Sequence, residues 1–519
     1  MRPAVYLIGT GPGDPRLISV RGLQAIADAD VLIYDHLVHP RLLRDAKPEA
    51  EKIDVGAAAP QPLDQEAICY LLAEKAREGK VVARLKWGDA FVFDRGGQEA
   101  LFLHEQGVSF EVVPGIPAAV GTPAYAGIPV TYPGGGDTLT FVRGHEDEST
   151  AAPPIDWGAL AKLRGTVVCY VGPQQLPDVL KALLANGFSK DEPAAVVYDG
   201  TLPSQETVEG TLQSLTESKR LRQKPATLVV GRVAALRQHL RWFDDRPLFG
   251  KRIVVTRSRD QAAGLVDLLE SLGAEPIEAP MIRIAPPDDY EPLDRAVANV
   301  GTYDWIVFTS ANAVDFFMRR LYAGSGDIRD LKGVRLCAVG PTTAERLSRH
   351  GVKIDLQPLE YRSESIVPAL VKSGDLNGRR VLLPRADIAR ELLVDELRRA
   401  GADVTEVTAY RTVIAEMERE GEPDIYRMLL EKRIDVVTFT SASTVRNFTK
   451  VFGAEQAADL LRTTAVASIG PVTAEAAEHY GIATTIMPKD YTIPALVGAI
   501  VQYFRERESG GGIRESGLH

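Results

Sequence analysis

The sequence predicts an α/β protein of several domains with largely parallel sheets, and three observations predict it. Strand-like runs alternate with helical patterns from end to end. AVYLIG, DVLIYD, VVARLK and TVVCYVG are β-branched or apolar, whereas DQEAICYLLAEKAREG spaces its apolar residues as a helix does. Part of the chain occurs twice. Finally, 519 residues at about 100–200 per domain make three or four domains.

Composition narrows the class further. Hydrophobic residues make up 45% and charged residues 25%, an ordinary globular balance. Lys and Arg total 60 against 70 Asp and Glu, a net charge of −10, which argues against a nucleic-acid binder. Cys69, Cys169 and Cys337 lie far apart, so neither a disulfide framework nor a thiolate zinc site is expected. The eight histidines are scattered, with no HExxH or Cys/His cluster, and no metal site is expected. MRPAVYLIGT meets glycine too early for a signal peptide, and no run reaches the ~20 apolar residues of a membrane helix. A cytoplasmic protein is the expectation.

Taken in order, the chain opens with a strand that runs into GTGPGDP (residues 9–15), ahead of the helical pattern RLISVRGLQAIADA. Glycines at such a turn let the backbone approach a ligand, or simply make the turn. A Walker loop is excluded because no GK[ST] follows. Asp35 ends the second strand where a ribose-binding acid would sit, but Asp14 and Pro15 break the GxGxxG pattern. Asp35 also suits a helix cap before HLVHPRLL. HEDESTAAPPIDW (145–157) reads as a loop between two subdomains, and RWFDDRPLFG (241–250) as a second break.

With RLKWGDAFVFDRGGQEA (84–100), EVVPGIPAA (111–119) and PAYAGIPVT (123–131) added in order, residues 1–240 resemble the tetrapyrrole methylases, most closely uroporphyrinogen-III C-methyltransferase. The resemblance implies two α/β subdomains with S-adenosylmethionine in the cleft between them and uroporphyrinogen III above it. By position, Pro12, Gly88, Asp89, Val92, Ala118 and Val171 would hold the cofactor. Arg95 would bind substrate, and Asp35 would be the catalytic acidic residue. The methyl donor is electrophilic already, so the protein's task is in-line positioning and proton removal. The resemblance also implies a homodimer through this domain. Several positions depart from the family pattern: Ala57 replaces a lysine, Trp87 and Ala90 alter a GGDP loop, Asp94 interrupts FGRG, and Val171 replaces a methionine.

Beyond residue 250 the chain repeats itself. GKRIVVTR (250–257) returns as GRRVLLPR (378–385), WIVFTSANAV (305–314) as VVTFTSASTV (436–445), and CAVGPTTAERL (337–347) as SIGPVTAEAAE (468–478). Offsets of roughly 128 to 131 residues throughout mean one unit used twice, too few for a solenoid and right for two lobes with a cleft. TSAN, TSAS, GPTT and GPVT each end a strand and open a helix, with Ser310, Ser441, Thr343 and Thr473 as expected N-caps. Such caps can serve the helix alone. Four helix N-termini in facing lobes would also receive several anions, and a polycarboxylate would suit them.

These phrases, with TAYRT (408–412), are similar to uroporphyrinogen-III synthase over residues 250–506. The resemblance implies a bilobed α/β fold with parallel sheets in which the chain starts one lobe (250–283), crosses, builds the second (284–411) and returns (412–506). Residues 241–249 would be a linker and 507–519 a disordered tail. The substrate would be hydroxymethylbilane, a linear tetrapyrrole with eight carboxylates, closed without a cofactor and with loss of water. Tyr410 would be the catalytic acid, although a tyrosine packed between lobes is the plain alternative; its repeat partner is Ile282. Thr343, Thr440, Ser441 and Thr473 would bind carboxylates. Arg257 and Arg385, at strand ends, suit either a supporting role or solvated charges. The sequence carries no GxGxxG domain for an NAD-dependent oxidation, so the expected product is precorrin-2, feeding siroheme or cobalamin synthesis. The rival expectations are a working synthase half with the methylase as a binding or regulatory module, and a two-lobed small-anion binding protein.

Overall fold

The computed structural model describes residues 2–511 apart from 57–58, 60–61, 145–154, 258, 281, 325, 359–364, 388–391 and 415–423. Ala57 and most of the acidic Pro-rich loop therefore lie outside the described residues, as do 512–519.

The first sheet holds β1 (Val5–Gly9), β2 (Val31–Tyr34), β3 (Glu51–Asp54), β4 (Val82–Lys86) and β5 (Phe110–Val113). They pair in the order β3-β2-β4-β1-β5, all parallel. Helices cover both faces, so the central strands are buried throughout and read as continuous apolar runs.

The second sheet departs from the parallel expectation. Its strands are β6 (Leu139–Arg143), β7 (Thr166–Val171), β8 (Pro193–Tyr198), β9 (Glu206–Thr211) and β10 (Ala226–Val230), in the order β6-β7-β10-β8-β9. Only β6 and β7 pair in parallel. β7, the helix Leu176–Ala185 and β8 keep the parallel crossover sense, but β10 inserts antiparallel between the two strands. Strand–helix alternation reports which segments extend, not which neighbour finally separates them.

The remaining strands form two sheets. One joins β11 (Arg252–Val255) and β12 (Glu275–Glu278) to β18 (Val436–Phe439) and β19 (Ala465–Ser468), in the order β12-β11-β18-β19. The other contains β13 (Ile282–Ala285), β14 (Trp305–Phe308), β15 (Arg335–Ala338), β16 (Arg380–Ala386) and β17 (Asp403–Ile414), in the order β13-β17-β16-β14-β15. Repeat copies are thus interleaved: one lobe takes β11 and β12 from the first copy and β18 and β19 from the second, and the other takes β13, β14 and β15 from the first and β16 and β17 from the second. The crossing strands β13 and β17 pair antiparallel, from Ile282 with Ile414 to Ala285 with Arg411.

The break at 241–249 is packed: Leu248 is fully buried in the core around β11, and Phe243 lies edge-on to both Tyr125 and Phe249. Trp242 Nε1 donates to the Ala124 carbonyl at 2.9 Å. Ion pairs Arg41–Glu270 (2.5 Å) and Arg44–Glu278 (2.6 Å) close the seam beside a cavity of ≈ 590 Å³. The last helix, Ile493–Gly511, buries Leu496, Ile500 and Phe504 along one apolar face and includes residues 507–511 of the expected tail, whose remainder lies outside the described residues. Among the described residues no helix is long and apolar enough to cross a membrane.

Candidate active sites in the two halves

In the first half, three strand-to-helix loops meet where only glycine fits. A Cβ on Gly115 would sit 2.2 Å from the Gly88 carbonyl oxygen, and one on Gly9 would sit 2.6 Å from the Gly115 nitrogen. Gly11 and Gly88 exchange backbone hydrogen bonds of 3.0 and 2.8 Å, both at positive φ. Asp89 fastens this arrangement, its two oxygens accepting the Phe91 and Gly115 N–H groups at 2.8 and 2.9 Å. Pro12 packs against Gly121 of the helix Ala118–Tyr125, where a Cβ would be 2.7 Å from its ring. Pro12, Gly88, Asp89 and Ala118 therefore come together, with Val92 following on the Asp89 loop.

The second subdomain completes the enclosure by a residue the sequence reading missed. Tyr170 accepts the Ala119 N–H at 3.0 Å and meets Phe93 edge-on at 5.4 Å. The expected contributor, Val171, is the next residue on β7, so its side chain points the other way, into the subdomain core. Asp14 ties the subdomains together: its N–H donates to Thr201 Oγ1 at 2.9 Å. Burial pushes its carboxyl up, but Arg16 at 2.6 Å and the Tyr125 hydroxyl outweigh that and hold it below the usual range.

Asp35 follows β2. Among the described residues its carboxylate accepts only a long 3.3 Å bond from the Leu37 N–H, and His39 caps the turn that follows through Nδ1. The capping role therefore belongs to His39. Arg84 Nη2 approaches Asp35 at 3.9 Å. Burial pushes the Asp35 carboxyl up, opposed by Arg84 and Lys86 and reinforced by Asp94. Arg84 and Lys86, buried on β4, both reach Glu99 Oε1, at 3.3 and 3.0 Å, and Lys86 also reaches Asp94 at 2.9 Å. The alternation of Arg and Lys inside the buried run VVARLK was the readable signal for this cluster. Arg95 is exposed at the start of the helix Gly96–Glu105.

In the second half, Ser310 and Ser441 cap their helices as expected, accepting the Ala313 and Thr444 N–H groups at 3.1 and 3.3 Å. Thr343 and Thr473 do not. The caps there are Gly340 and Gly470, because Pro341 and Pro471 occupy the first helical position. Both threonines sit buried at the third position, and neither glycine cap offers a side chain to the terminal N–H groups. Arg385 is not a solvated charge either: it is buried and lies 2.8 Å from Glu406, while burial lowers the Arg257 guanidinium.

Tyr410 lies on β17 where that strand leaves β16, after a register shift, and turns to β13. Its hydroxyl is 3.1 Å from Ser310 Oγ, and its ring stacks on Phe316 at 5.9 Å. Burial raises the phenol above its ordinary range. Arg346–Asp315 (2.9 Å) joins the Thr343 helix to the Ser310 helix. Tyr410, Ser310 and Thr343 belong to the β13–β17 lobe, whereas Thr440, Ser441 and Thr473 follow β18 and β19 in the other lobe.

Two family models match the chain: Tetrapyrrole (Corrin/Porphyrin) Methylases over residues 4–216, and Uroporphyrinogen-III synthase HemD over residues 263–498. The "Porphyrin biosynthesis protein HemD" of Ruminiclostridium josui is 36% identical over 512 residues, covering 98% of each chain. The chain belongs to this family of tetrapyrrole methylase–uroporphyrinogen-III synthase fusions. The fusion is an enzyme of tetrapyrrole biosynthesis with a methyltransferase half and a synthase half. The "Uroporphyrinogen-III C-methyltransferase" of Bacillus subtilis is 35% identical over 372 residues, 67% of this fusion and 76% of that protein. "Siroheme synthase 1" of Klebsiella pneumoniae is 43% identical over 240 residues, 46% of the fusion and 50% of that protein.

Proposed function

We propose that the fusion is bifunctional: its second half closes hydroxymethylbilane to uroporphyrinogen III, and its first half methylates that product twice with S-adenosylmethionine to give precorrin-2. The observation that carries this reading is the presence in one chain of two chemically distinct sites. One is a glycine cradle with an underbonded carboxylate near it; the other is a buried phenol at a helix N-terminus.

The cradle suits S-adenosylmethionine, because backbone at Gly88 and Gly115 is packed so closely that no side chain intrudes. Pro12, Gly88, Asp89, Val92 and Ala118 would hold it, with Val171 taking part through its main chain. Bound there, it supplies a methyl group already activated on a sulfonium. Asp89 keeps the loops in place, Tyr170 bridges the subdomains, Arg95 meets the substrate's carboxylates, and Asp35 takes the proton that the macrocycle loses for each methyl gained.

In the synthase half the chemistry is steering plus one proton delivery. Burial keeps the Tyr410 phenol protonated, so it can donate to the departing hydroxyl, which leaves as water. Ser310 fixes the direction of that donor. Thr343, Thr440, Ser441 and Thr473, with the N–H groups beyond Gly340 and Gly470, would bind the carboxylates from both lobes.

Incubating the full chain with hydroxymethylbilane, with and without S-adenosylmethionine, tests the reading. The expected products are precorrin-2 with the methyl donor and uroporphyrinogen III without it. Uroporphyrinogen III alone under both conditions would reassign the first half to binding or regulation. Absence of the type III isomer would overturn the synthase assignment.

A further inference from the structure

The charged cluster behind Asp35 has an unusual balance. Arg84 and Lys86 are the cations, only 3% and 1% exposed; Glu99 (0%), Asp94 and Asp35 are the carboxylates. Two positive charges face three negative ones. Glu99 takes a hydrogen bond from each cation and another from Gln65 Nε2 at 3.1 Å, so it is committed to both. Asp94 takes the remaining reach of Lys86 at 2.9 Å, and its Oδ1 also accepts the Arg95 N–H. Arg84 spends further donors on the Ile33 and Leu85 carbonyls. Asp35 is left with a 3.9 Å approach, beyond hydrogen-bond range, and a carboxylate one-quarter exposed.

We propose that Asp94 is a positioning residue of the methylase half: by occupying Lys86 it makes Asp35 the surplus carboxylate of the cluster, free to accept the proton that the macrocycle loses on methylation. This rests on the reading of Asp35 as the base. The balance closes simply. A macrocycle carbon forms the new carbon–carbon bond as the carbon–sulfur bond breaks with its electrons going to sulfur. The macrocycle then gives one proton to Asp35, which renders the five-group cluster neutral. Without the Asp94 charge the cluster is already neutral with Asp35 ionised, and Lys86 would hold Asp35 in that form.

Among the described residues, the carboxylates Asp54 and Asp89 are each engaged by backbone donors: Asp54, at the end of β3, by the Gly56 N–H at 2.8 Å, and Asp89 by two. His36 follows Asp35 in its own loop, where a Cβ on Gly56 would lie 3.0 Å from its Nδ1. On the helix Gln65–Arg77, the Gln65 amide donates to Cys69 Sγ at 3.8 Å. Burial also works in the proposed direction, since it raises the Asp35 carboxyl, and Asp94 adds to it.

The test is the pH profile of kcat/KM for methyl transfer, measured on the full chain. In Asp94→Asn the acidic limb is expected to move down by about one pH unit, the scale of one nearby charge, with a lower plateau because the base is weaker. Asp94→Glu, which restores the carboxylate, is expected to bring the limb back toward its original position. A limb that stays in place in Asp94→Asn overturns the proposal. Asp35→Asn separates the two levels of the argument. Loss of methylation with the limb supports Asp35 as base whatever Asp94 does. Retention of both removes that reading, and this proposal falls with it.

Discussion

Replacing Tyr410 by Phe is the most discriminating perturbation of the second half, because the structure separates its effect on folding from its effect on rate. The substitution removes one hydroxyl. Ser310 Oγ keeps its other bond, from the Ala313 N–H at 3.1 Å, and the ring keeps its stack on Phe316. The hydroxyl meets Ser310 and Asn312, so the folding cost is that of one to two hydrogen bonds, about 0.5–3 kcal/mol. For a domain of this size that lowers Tm by about 1–12 °C, at about 2–4 °C per kcal/mol. Loss of a general acid costs about 10²–10⁴ in rate, or roughly 3–5 kcal/mol of barrier. The assay is isomer-resolved formation of uroporphyrinogen III from hydroxymethylbilane, where spontaneous closure yields the other isomer. A type III rate that stays within about threefold, a small part of that range, refutes the acid role and leaves Tyr410 as packing between lobes. The raised phenol adds a pH signature. Folding keeps it protonated, so its contribution to stability is complete below the ordinary value of about 10 and is lost as pH climbs through the raised folded value. The wild-type chain should therefore lose stability more steeply than Tyr410→Phe in strong alkali.

Two further outcomes follow from the packing. Gly115→Ala would drive a Cβ to 2.2 Å from the Gly88 carbonyl and 2.7 Å from the Gly9 Cα, both backbone atoms that must part. The cost is about 1–3 kcal/mol of overpacking, with at least a tenfold loss of S-adenosylmethionine affinity by calorimetry while ring closure persists; unchanged affinity would mean the cradle is not the cofactor site. At the seam, Arg44→Glu sets two carboxylates against each other at Glu278, and because this pair is partly exposed the loss is at most about 1 kcal/mol. Faster proteolysis within residues 241–249 should report it, and the exchanged pair Arg44→Glu with Glu278→Arg should restore protection; equal cleavage in all three chains would show the seam pair carries no docking energy.

How much of this was legible in the sequence depends on whether the signal was local. The repeat could be read because the same phrases end the same strands, and TSAN and TSAS cap where such phrases cap. Thr343 and Thr473 were misplaced although the information was present: proline fixes the first helical position, so the glycine before it must be the cap. The direction of β10 was not legible, because a strand alternates identically whichever way its neighbours run. Nor was the Asp94–Lys86 contact, which joins a loop residue to a buried strand residue eight positions earlier through a turn with Phe93 at positive φ. Sequence position alone marked Asp94 as a departure; only the packing shows which charge it neutralises.

The interleaving of the two repeats places Tyr410, the proposed acid, and its counterpart Ile282 in different surroundings. In the first copy the stretch equivalent to β17 is broken into β12 and β13, which serve different sheets. In the second copy it stays one continuous strand, Asp403–Ile414, paired first with β16 and then with β13. The shift in register between Arg385 and Ala386 places Tyr410 at the change of partner, held by a helix N-terminus of one lobe on the strand that crosses toward the other. Tyr410 thus shares a lobe with Ser310, whereas Thr440 and Thr473, proposed above to bind carboxylates, lie in the other lobe. Under the proposed function, a bilane bound by both lobes would be folded toward that phenol, which is what a reaction governed by conformation requires. Ile282 sits at the start of β13, paired with Ile414 of the crossing strand.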